Sequence, residues 1–272
     1  MPSINTNVAA LFAQNSLKVN ERAQSSAMKQ LSTGSRVNSA SDDAAGLAIG
    51  QTMTAQIKGL NQAVRNLNDG INMMQTAEGA MTEVSNMLQR MRELAVQSSN
   101  GTNSTTQRGY LQTEFAALSA QITKVGNETL WNGTQVLATA ATSFVFQAGA
   151  QASQTITATL TTAMTATGLA VDVLSIGTST TAITGIATLD TALGLVNTQR
   201  ASFGATINQM TYGADNLSSI SANTAASRSS IMDTDYATAS TQLSKTQIIQ
   251  QAATAMLAQA NQQPQSVLAL LK

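Results

Sequence analysis

The sequence predicts a mainly α fold: an elongated rod of long, coiled-coil-like helices supplied by the N- and C-terminal halves, with a small β-hairpin region in the middle of the chain. Three observations predict it. Apolar residues recur at steps of three and four over two long stretches and one shorter one. Proline, the strongest helix breaker, occurs only 2 times in 272 residues. Aromatic residues make up 3% of the chain, with Trp131 the single tryptophan, so the core must be built from Ala, Leu, Ile, Val and Met rather than from rings.

Taken in order, residues 3–33 read as a moderately amphipathic helix that Ser32-Thr33-Gly34-Ser35-Arg36 breaks. Ser39-Ala40-Ser41-Asp42-Asp43 reads as the next helix start, a hydroxyl cap followed by two carboxylates in the first turn, where the helix dipole favours negative charge. The first heptad stripe then runs Ile57, Leu60, Val64, Leu67, Ile71, Met74, Ala77, Met81, Val84, Leu88, Met91, Ala95. Two successive steps of three at Ile71, Met74 and Ala77 form a stammer, which overwinds a coiled coil locally. A helix from 43 to 99 is about 85 Å long, whereas a ball of this length of chain is only roughly 48 Å across; hence the rod.

Asn100-Gly101-Thr102-Asn103-Ser104 is a turn signal, and Leu111, Phe115, Leu118, Ile122 and Val125 form a second stripe that ends near Gly126. Trp131-Asn132-Gly133 carries an Asn-Gly turn step. Residues 129–171 contain no charge and include Phe144-Val145-Phe146 and the alternating Ile156-Thr157-Ala158-Thr159-Leu160, which read as short strands in hairpins. Ser and Thr are dense through residue 184; the plain reading is a solvated loop or strand face, the sharper one a site of O-glycosylation. The third stripe, Ile186, Leu189, Leu193, Val196, Arg200, Phe203, Ile207, Met210, Ala214, Leu217, is broken only by Arg200. Gly194, Gly204 and Gly213 lie inside it at about 1 kcal/mol each against Ala, so close helix approach is the expected motive. Met-Asp-Thr-Asp-Tyr at 232–236 separates it from a last helix, near 237–262, which Pro264 is expected to interrupt before the apolar tail Val267-Leu268-Ala269-Leu270-Leu271.

Composition narrows the function. Lys+Arg 14 balances Asp+Glu 14, so there is no basic excess for nucleic acid. Charged residues are 10%, against a usual ~25%. Cysteine and histidine are both absent, which excludes disulfides, thiolate zinc sites, imidazole acid–base catalysis and Ser-His-Asp triads. The N-terminus lacks the basic and apolar regions of a secretory signal peptide, and no run of about 18 apolar residues is present to cross a membrane. No charge precedes Lys18, and none lies between Lys245 and Lys272. These neutral ends carry Ile4, Val8, Leu11, Phe12, Leu243, Ile248, Met256 and Leu257 at near-helical spacing, which points to helices that bury themselves in an assembly rather than to frayed tails. Asp42 and Asp43 read as helix-start charges rather than a catalytic pair, and the methionines on the stripes as adaptable core filler rather than metal ligands. No phosphate loop, activated nucleophile or metal-ligand spacing is present, so the expectation is no enzyme, no cofactor and no metal.

The residues resemble bacterial flagellin. The resemblance rests on Ser3-Ile4-Asn5-Thr6-Asn7; Leu31-Ser32-Thr33-Gly34-Ser35-Arg36-Val37-Asn38-Ser39-Ala40; Asp42-Asp43-Ala44-Ala45-Gly46-Leu47-Ala48-Ile49; Leu88-Gln89-Arg90-Met91-Arg92-Glu93-Leu94-Ala95-Val96-Gln97; Asp235-Tyr236-Ala237-Thr238; and Leu257 through Leu271. It implies a structural subunit, exported through the flagellar type III pathway, that polymerises into the extracellular filament for motility. It implies an inner domain of residues 1–42 plus 232–272 lining the filament core, and an outer helical rod of 43–231 with a β-hairpin region at about 130–184. The short middle implies a form without large outer variable domains, and the absence of histidine excludes the zinc metallopeptidase insert of some flagellins. The alternatives are a hook–filament junction protein or a flagellin-like surface adhesin.

The implied partners are other copies in a helical homopolymer, a flagellar export chaperone, a filament cap, the hook–filament junction protein and the host Toll-like receptor 5, with no nucleic acid and no membrane insertion. Receptor binding is implied at Arg90, Leu94 and, by a looser match, Glu114. Polymer contacts are expected, by resemblance and by pattern, at Ile4, Val8, Leu11, Met256, Leu257, Val267, Leu268, Leu270 and Leu271. Non-closing contacts of an elongated subunit generate open helical polymers rather than rings.

Overall fold

The structure, a computed structural model, describes residues 6–269, with side chains for residues 6–262. In order, the described chain forms α1 (Val8–Thr33), α2 (Ala44–Ser99), α3 (Thr105–Glu128), β1 (Leu130–Trp131), β2 (Thr134–Gln135), β3 (Thr142–Gln147), β4 (Thr155–Leu160), α4 (Ser179–Met232) and α5 (Tyr236–Ala269). Packing divides it into two units, one made of the chain up to Ile57 and from Ala222 onward, the other of Lys58–Ser221. Boundaries expected at residues 42 and 232 sit at breaks between helices; the packing boundaries lie inside α2 and α4. A continuous helix carries no local signal of where its lateral neighbours change.

In the second unit, the first heptad stripe packs as predicted. From Leu60 to Ala95 its residues are buried or half-buried, and Met74, Ala77, Met81, Val84, Leu88 and Met91 have no exposed surface. They join Phe115 and Ile122 of α3 and Leu189, Val196 and Phe203 of α4 in one apolar cluster. A second cluster holds Leu60, Ala63, Leu67, Ile156, Met210, Ala214 and Leu217.

The third stripe is displaced by one residue at four of its ten positions. The buried column of α4 is Ala182, Gly185, Leu189, Ala192, Val196, Gln199, Phe203, Thr206, Met210, and Ile186, Leu193, Arg200 and Ile207 are half-buried beside it. Small and polar residues hold the centre because larger ones flank it, which a search for apolar side chains misses. Arg200 therefore does not break the column: its guanidinium pairs with Glu78 of α2 at 2.7 Å. The helix also starts at Ser179, ahead of the expected end of the β region at 184, with Thr178 N donating to Thr181 Oγ1 and Thr181 N donating to Thr178 Oγ1 at its start.

The middle segment forms two hairpins. Asn132 and Gly133 both have positive φ, 48° and 80°, and close a two-residue turn between β1 and β2. β3 and β4 pair antiparallel from Thr142↔Leu160 to Gln147↔Thr155. The hydroxyl-rich stretch that follows is not simply a solvated loop, since Leu160, Met164, Ala166, Leu169, Val171 and Ile176 are buried in the main cluster. Gly126 makes room for it: a Cβ there would lie 2.5 Å from the carbonyl oxygen of Met164. Gly194 and Gly204, expected to permit close helix approach, face no atom within 4 Å, and Gly213 leaves only ordinary contact distances.

In the first unit, α1 and α5 lie antiparallel, and each shows heptad spacing on its inward side. The less exposed positions are Ala10, Ala13, Leu17, Asn20, Gln24, Ala27 and Leu31 on α1, and Ala239, Leu243, Thr246, Gln250, Ala253, Leu257 and Ala260 on α5. Gly34, at φ 69°, ends α1 in a left-handed cap whose N–H bonds to Gln30 O. The following residues cap α4: Arg36 N and Ser35 Oγ donate to Met232 O, and Arg36 Nη2 donates to Ile231 O at 2.6 Å. Carbonyls with no partner in their own helix are thereby satisfied, and a cation sits at the negative end of the dipole.

Two expectations in this unit are corrected. Neither carboxylate lies in the first turn of α2. Asp43 is itself the cap, its Oδ1 accepting from Gly46 N at 2.8 Å, and Asp42 closes the preceding turn by accepting from Ser39 N and Ser39 Oγ. Pro264 does not interrupt α5, which runs through it to Ala269. Proline offers no N–H to the carbonyl four residues back; that carbonyl, on Ala260, accepts from Asn7 Nδ2 at 2.8 Å.

Candidate assembly surface

The inward seam of α1 and α5 uses few large side chains, and the outward faces use many. Val8, Leu11, Phe12, Val19 and Met28 on α1, and Ile248, Ile249 and Met256 on α5, are all exposed; Phe12 is 70% and Met256 65% accessible. Heptad spacing explains the division. Residues at steps of three and four reach the partner helix, and those between them point away. Ala, Gln and Thr fill many of the inward positions, so helix pairing leaves much of the larger apolar surface uncovered. Large apolar side chains left exposed in this number mark an interaction surface.

Of the sequence-predicted contact residues, Val8, Leu11 and Met256 lie on these outward faces. Leu257 is half-buried at a seam position instead. Ile4, Val267, Leu268, Leu270 and Leu271 lie outside the residues whose side chains are described.

The seam itself carries polar ties that the sequence reading missed. Asn20 is buried and its Nδ2 donates to Thr246 O at 2.7 Å, and Thr246 Oγ1 donates to Leu243 O. The signal in the sequence was an asparagine one heptad from Ala27 and three residues from Leu17, an apolar position occupied by an amide. Gln199 was missed for the same reason. Buried in α4, it accepts from Thr161 N and Thr161 Oγ1 and donates to Thr159 O at 2.9 Å, so one amide fastens the end of β4. Gln112 accepts from Ile176 N at 2.6 Å while Ser98 donates to Ile176 O, pinning the segment before α4 from both sides.

The second predicted site lies on α2 and α3. Arg90 Nε bonds to Glu114 Oε1 and Arg90 Nη1 to Glu93 Oε2, each at 2.9 Å, with all three side chains well exposed. The Glu114 and Glu93 carboxylates hold the guanidinium above its already high ordinary value. The structure thus brings Arg90 and Glu114 together and adds Glu93. It does not bring Leu94 to the surface: Leu94 is 1% exposed and packs in the main core. On a helix whose apolar stripe already includes Met91 and Ala95, position 94 falls on the inward side. Arg92 pairs with Asp190 of α4 at 2.6 Å.

Among the described residues, no group of three or more His, Cys, Asp or Glu is placed to hold a metal ion, and no helix is long and apolar enough to cross a membrane.

Comparison with known proteins adds to this geometry. Residues 4–142 match the bacterial flagellin N-terminal helical region, and residues 186–271 match the bacterial flagellin C-terminal helical region. A flagellin of Halalkalibacterium halodurans is 42% identical over 270 residues, covering 99% of each chain. The flagellar filament 33 kDa core protein of Treponema phagedenis is 39% identical over 285 residues, again with 99% of each chain covered. The crystal structure of Bacillus cereus flagellin is similar at 31% identity and a TM-score of 0.51, covering 56% of this chain and 88% of that one.

Proposed function

The chain belongs to the bacterial flagellin family and is a structural subunit of the flagellar filament, and from that premise we propose that the outward apolar faces of α1 and α5 are the surfaces by which one copy holds the next. The observation that carries this is the exposure of Val8, Leu11, Phe12, Val19, Ile248 and Met256 on helices whose own seam is filled by Ala, Asn, Gln and Thr. Burying such surface is worth about 25 cal/mol per Å², and repetition along a polymer multiplies it. The scarcity of charge at both ends fits burial in an assembly, since an unpaired charge there would be costly.

The test is seeded polymerisation of the purified chain carrying Met256→Asp or Leu11→Asp. Both side chains are exposed, so helix content and thermal unfolding should stay as in the parent while filament yield collapses. Normal filaments from both variants would remove these faces from the interface.

Residues 1–42 with 232–272 form the inner layer on this reading, and the rest of the chain forms the outer one. Delivery to the growing tip by an export chaperone and the flagellar type III apparatus, assembly under a cap and attachment through the hook–filament junction protein belong to the same reading, by resemblance. So does an extracellular location. The junction-protein and adhesin alternatives are not favoured, because relatives aligned over 99% of this chain are flagellins and filament core proteins. The family is structural, and the chain acts by assembly rather than catalysis.

Recognition by Toll-like receptor 5 belongs here too, carried by the exposed Arg90 and Glu114, with Leu94 holding α2 in place from beneath. Replacing Arg90 by Ala in monomer should abolish receptor-dependent signalling; unchanged potency would sink this part of the reading.

A further inference from the structure

We infer that Asn7 is a positioning residue that completes α5 across Pro264 and thereby fixes the position of α1 along it. In an α-helix each N–H donates to the carbonyl four residues earlier. At Pro264 that donor is missing, and the bereft carbonyl is that of Ala260. α5 nevertheless continues to Ala269. The amide of Asn7 supplies the missing donor, its Nδ2 lying 2.8 Å from Ala260 O in a half-buried contact.

The other end of the same amide is also in use. Asn7 is the N-cap of α1, and its Oδ1 accepts from Ala10 N at 3.1 Å. This settles which way the amide points: the oxygen must face the Ala10 N–H, so the nitrogen must face Ala260. One side chain starts the first helix and repairs the last. Aspartate or serine caps a helix about as well as asparagine, but serine is too short to bridge and aspartate has no hydrogen to donate. The bridge is therefore what selects an amide at this position.

The position along the helix follows. As the partner advances from Asn7 through Asn20 to Ser35, just past α1, its counterpart retreats from Ala260 through Thr246 to Asp233, just before α5. Polar ties at three levels describe one antiparallel register. Of these, only the Asn7 tie ends at a carbonyl whose helical donor has been removed by the sequence. Sliding α1 by one heptad would carry Asn7 away from Ala260 and leave that carbonyl without its bridging donor. A seam of Ala, Gln and two leucines on each helix discriminates poorly between such registers, and a single polar position is a known way of choosing one.

The inference rests on the filament reading, because it is read through assembly. The experiment is a cycle of four full-length proteins: the parent, Asn7→Ser, Pro264→Ala and the double variant, each measured for its critical concentration in seeded polymerisation. Asn7→Ser keeps a capping hydroxyl and loses the bridge, so it should raise the critical concentration about threefold to tenfold, the size expected for one bridging hydrogen bond. In the Pro264→Ala background residue 264 regains an N–H for Ala260 O, and the same Asn7→Ser change should cost less than about twofold. An equal cost in both backgrounds, or none with Pro264 present, overturns the inference. Failure of the parent to polymerise sinks the filament reading instead. The cycle is then read in the monomer by amide exchange over residues 261–269: faster exchange in Asn7→Ser that Pro264→Ala relieves supports the bridge, and exchange unaffected by Asn7→Ser overturns it.

Discussion

α1 and α5 in one unit, and α3 with the portions of α2 and α4 inside Lys58–Ser221 in the other, follow the same spacing of three and four, yet they bury very different things. In Lys58–Ser221 the spacing carries Met, Leu, Val and Phe inward, and Met74, Met81, Leu88, Phe115 and Phe203 are all but inaccessible. Between α1 and α5 the inward positions hold Ala, Asn, Gln and Thr with two leucines on each helix, and Phe12 and Met256 face outward. Periodicity tells which residues share a face. The size of the side chains on that face tells whether the pair stands by its own packing or leaves its apolar surface for another copy. The first unit has few large side chains in its seam, whereas the second has many in its core.

The largest effect of a single substitution is expected in the second unit. Phe203→Ala removes a fully buried ring from the main cluster and should lower unfolding free energy by about 3–5 kcal/mol, measured by denaturant titration of the monomer. A loss below about 1 kcal/mol would mean that this core is far looser than its burial indicates.

Next in size is Gln199→Ala. It leaves Thr161 N–H, Thr161 Oγ1 and Thr159 O without their partner at the end of β4, at a cost of roughly 2–3 kcal/mol. Hydrogen exchange should localise the damage to residues 155–161. Damage spread evenly over the unit would contradict the local clamp.

Smaller still in free energy is Asn20→Leu. It exchanges the bond to Thr246 O for apolar contact in the seam, so stability should change by no more than about 1 kcal/mol while register discrimination falls. The chain has no cysteine of its own, which makes cross-linking a clean readout. Ala13→Cys paired with Ala253→Cys reports the observed register, and Ala13→Cys paired with Ala260→Cys reports a slip of one heptad. Slipped cross-links should form only in the Asn20→Leu background.

The smallest effect is that of acid on the turns of the first unit. The Ser39 hydroxyl, then the Asn38 and Ser39 amides, hold the Asp42 carboxyl below its ordinary value; Thr238 Oγ1 and then the Ala237 amide do the same for Asp235. A group with a depressed folded pKa stabilises fully above its unfolded value of about 4, and that contribution is lost as pH falls through the lower folded value. Amide exchange at Ser39 and Ala237, corrected for intrinsic rates, should therefore accelerate below about pH 4, with no matching change around Gln199. Equal acceleration in both units would show general acid unfolding instead.

The stripe from Leu60 to Ala95 was legible because a long run of aliphatics at heptad spacing has one buried solution. The Asn132-Gly133 turn was legible because only residues tolerant of positive φ fit it. Asn20 and Gln199 were not, because an amide in a buried column looks like a break until its partner, a carbonyl more than 200 residues away or the end of a strand, is in place. Leu94 was assigned to a surface by motif while its own heptad position put it inside. Pro264 was read by its local effect alone, and the donor that offsets it comes from the other end of the chain.

The sequence by itself determined the helical class, the starts and ends of most helices, the two hairpins and the membership of the flagellin family, because these follow from local propensity, periodicity and motif. Tertiary structure alone decided where the two units divide, which column of α4 faces inward, and how the terminal helices are aligned. Those depend on partners distant in the chain: a carbonyl is satisfied or bereft, and a small residue is central or exposed, only once the other helix lies against it.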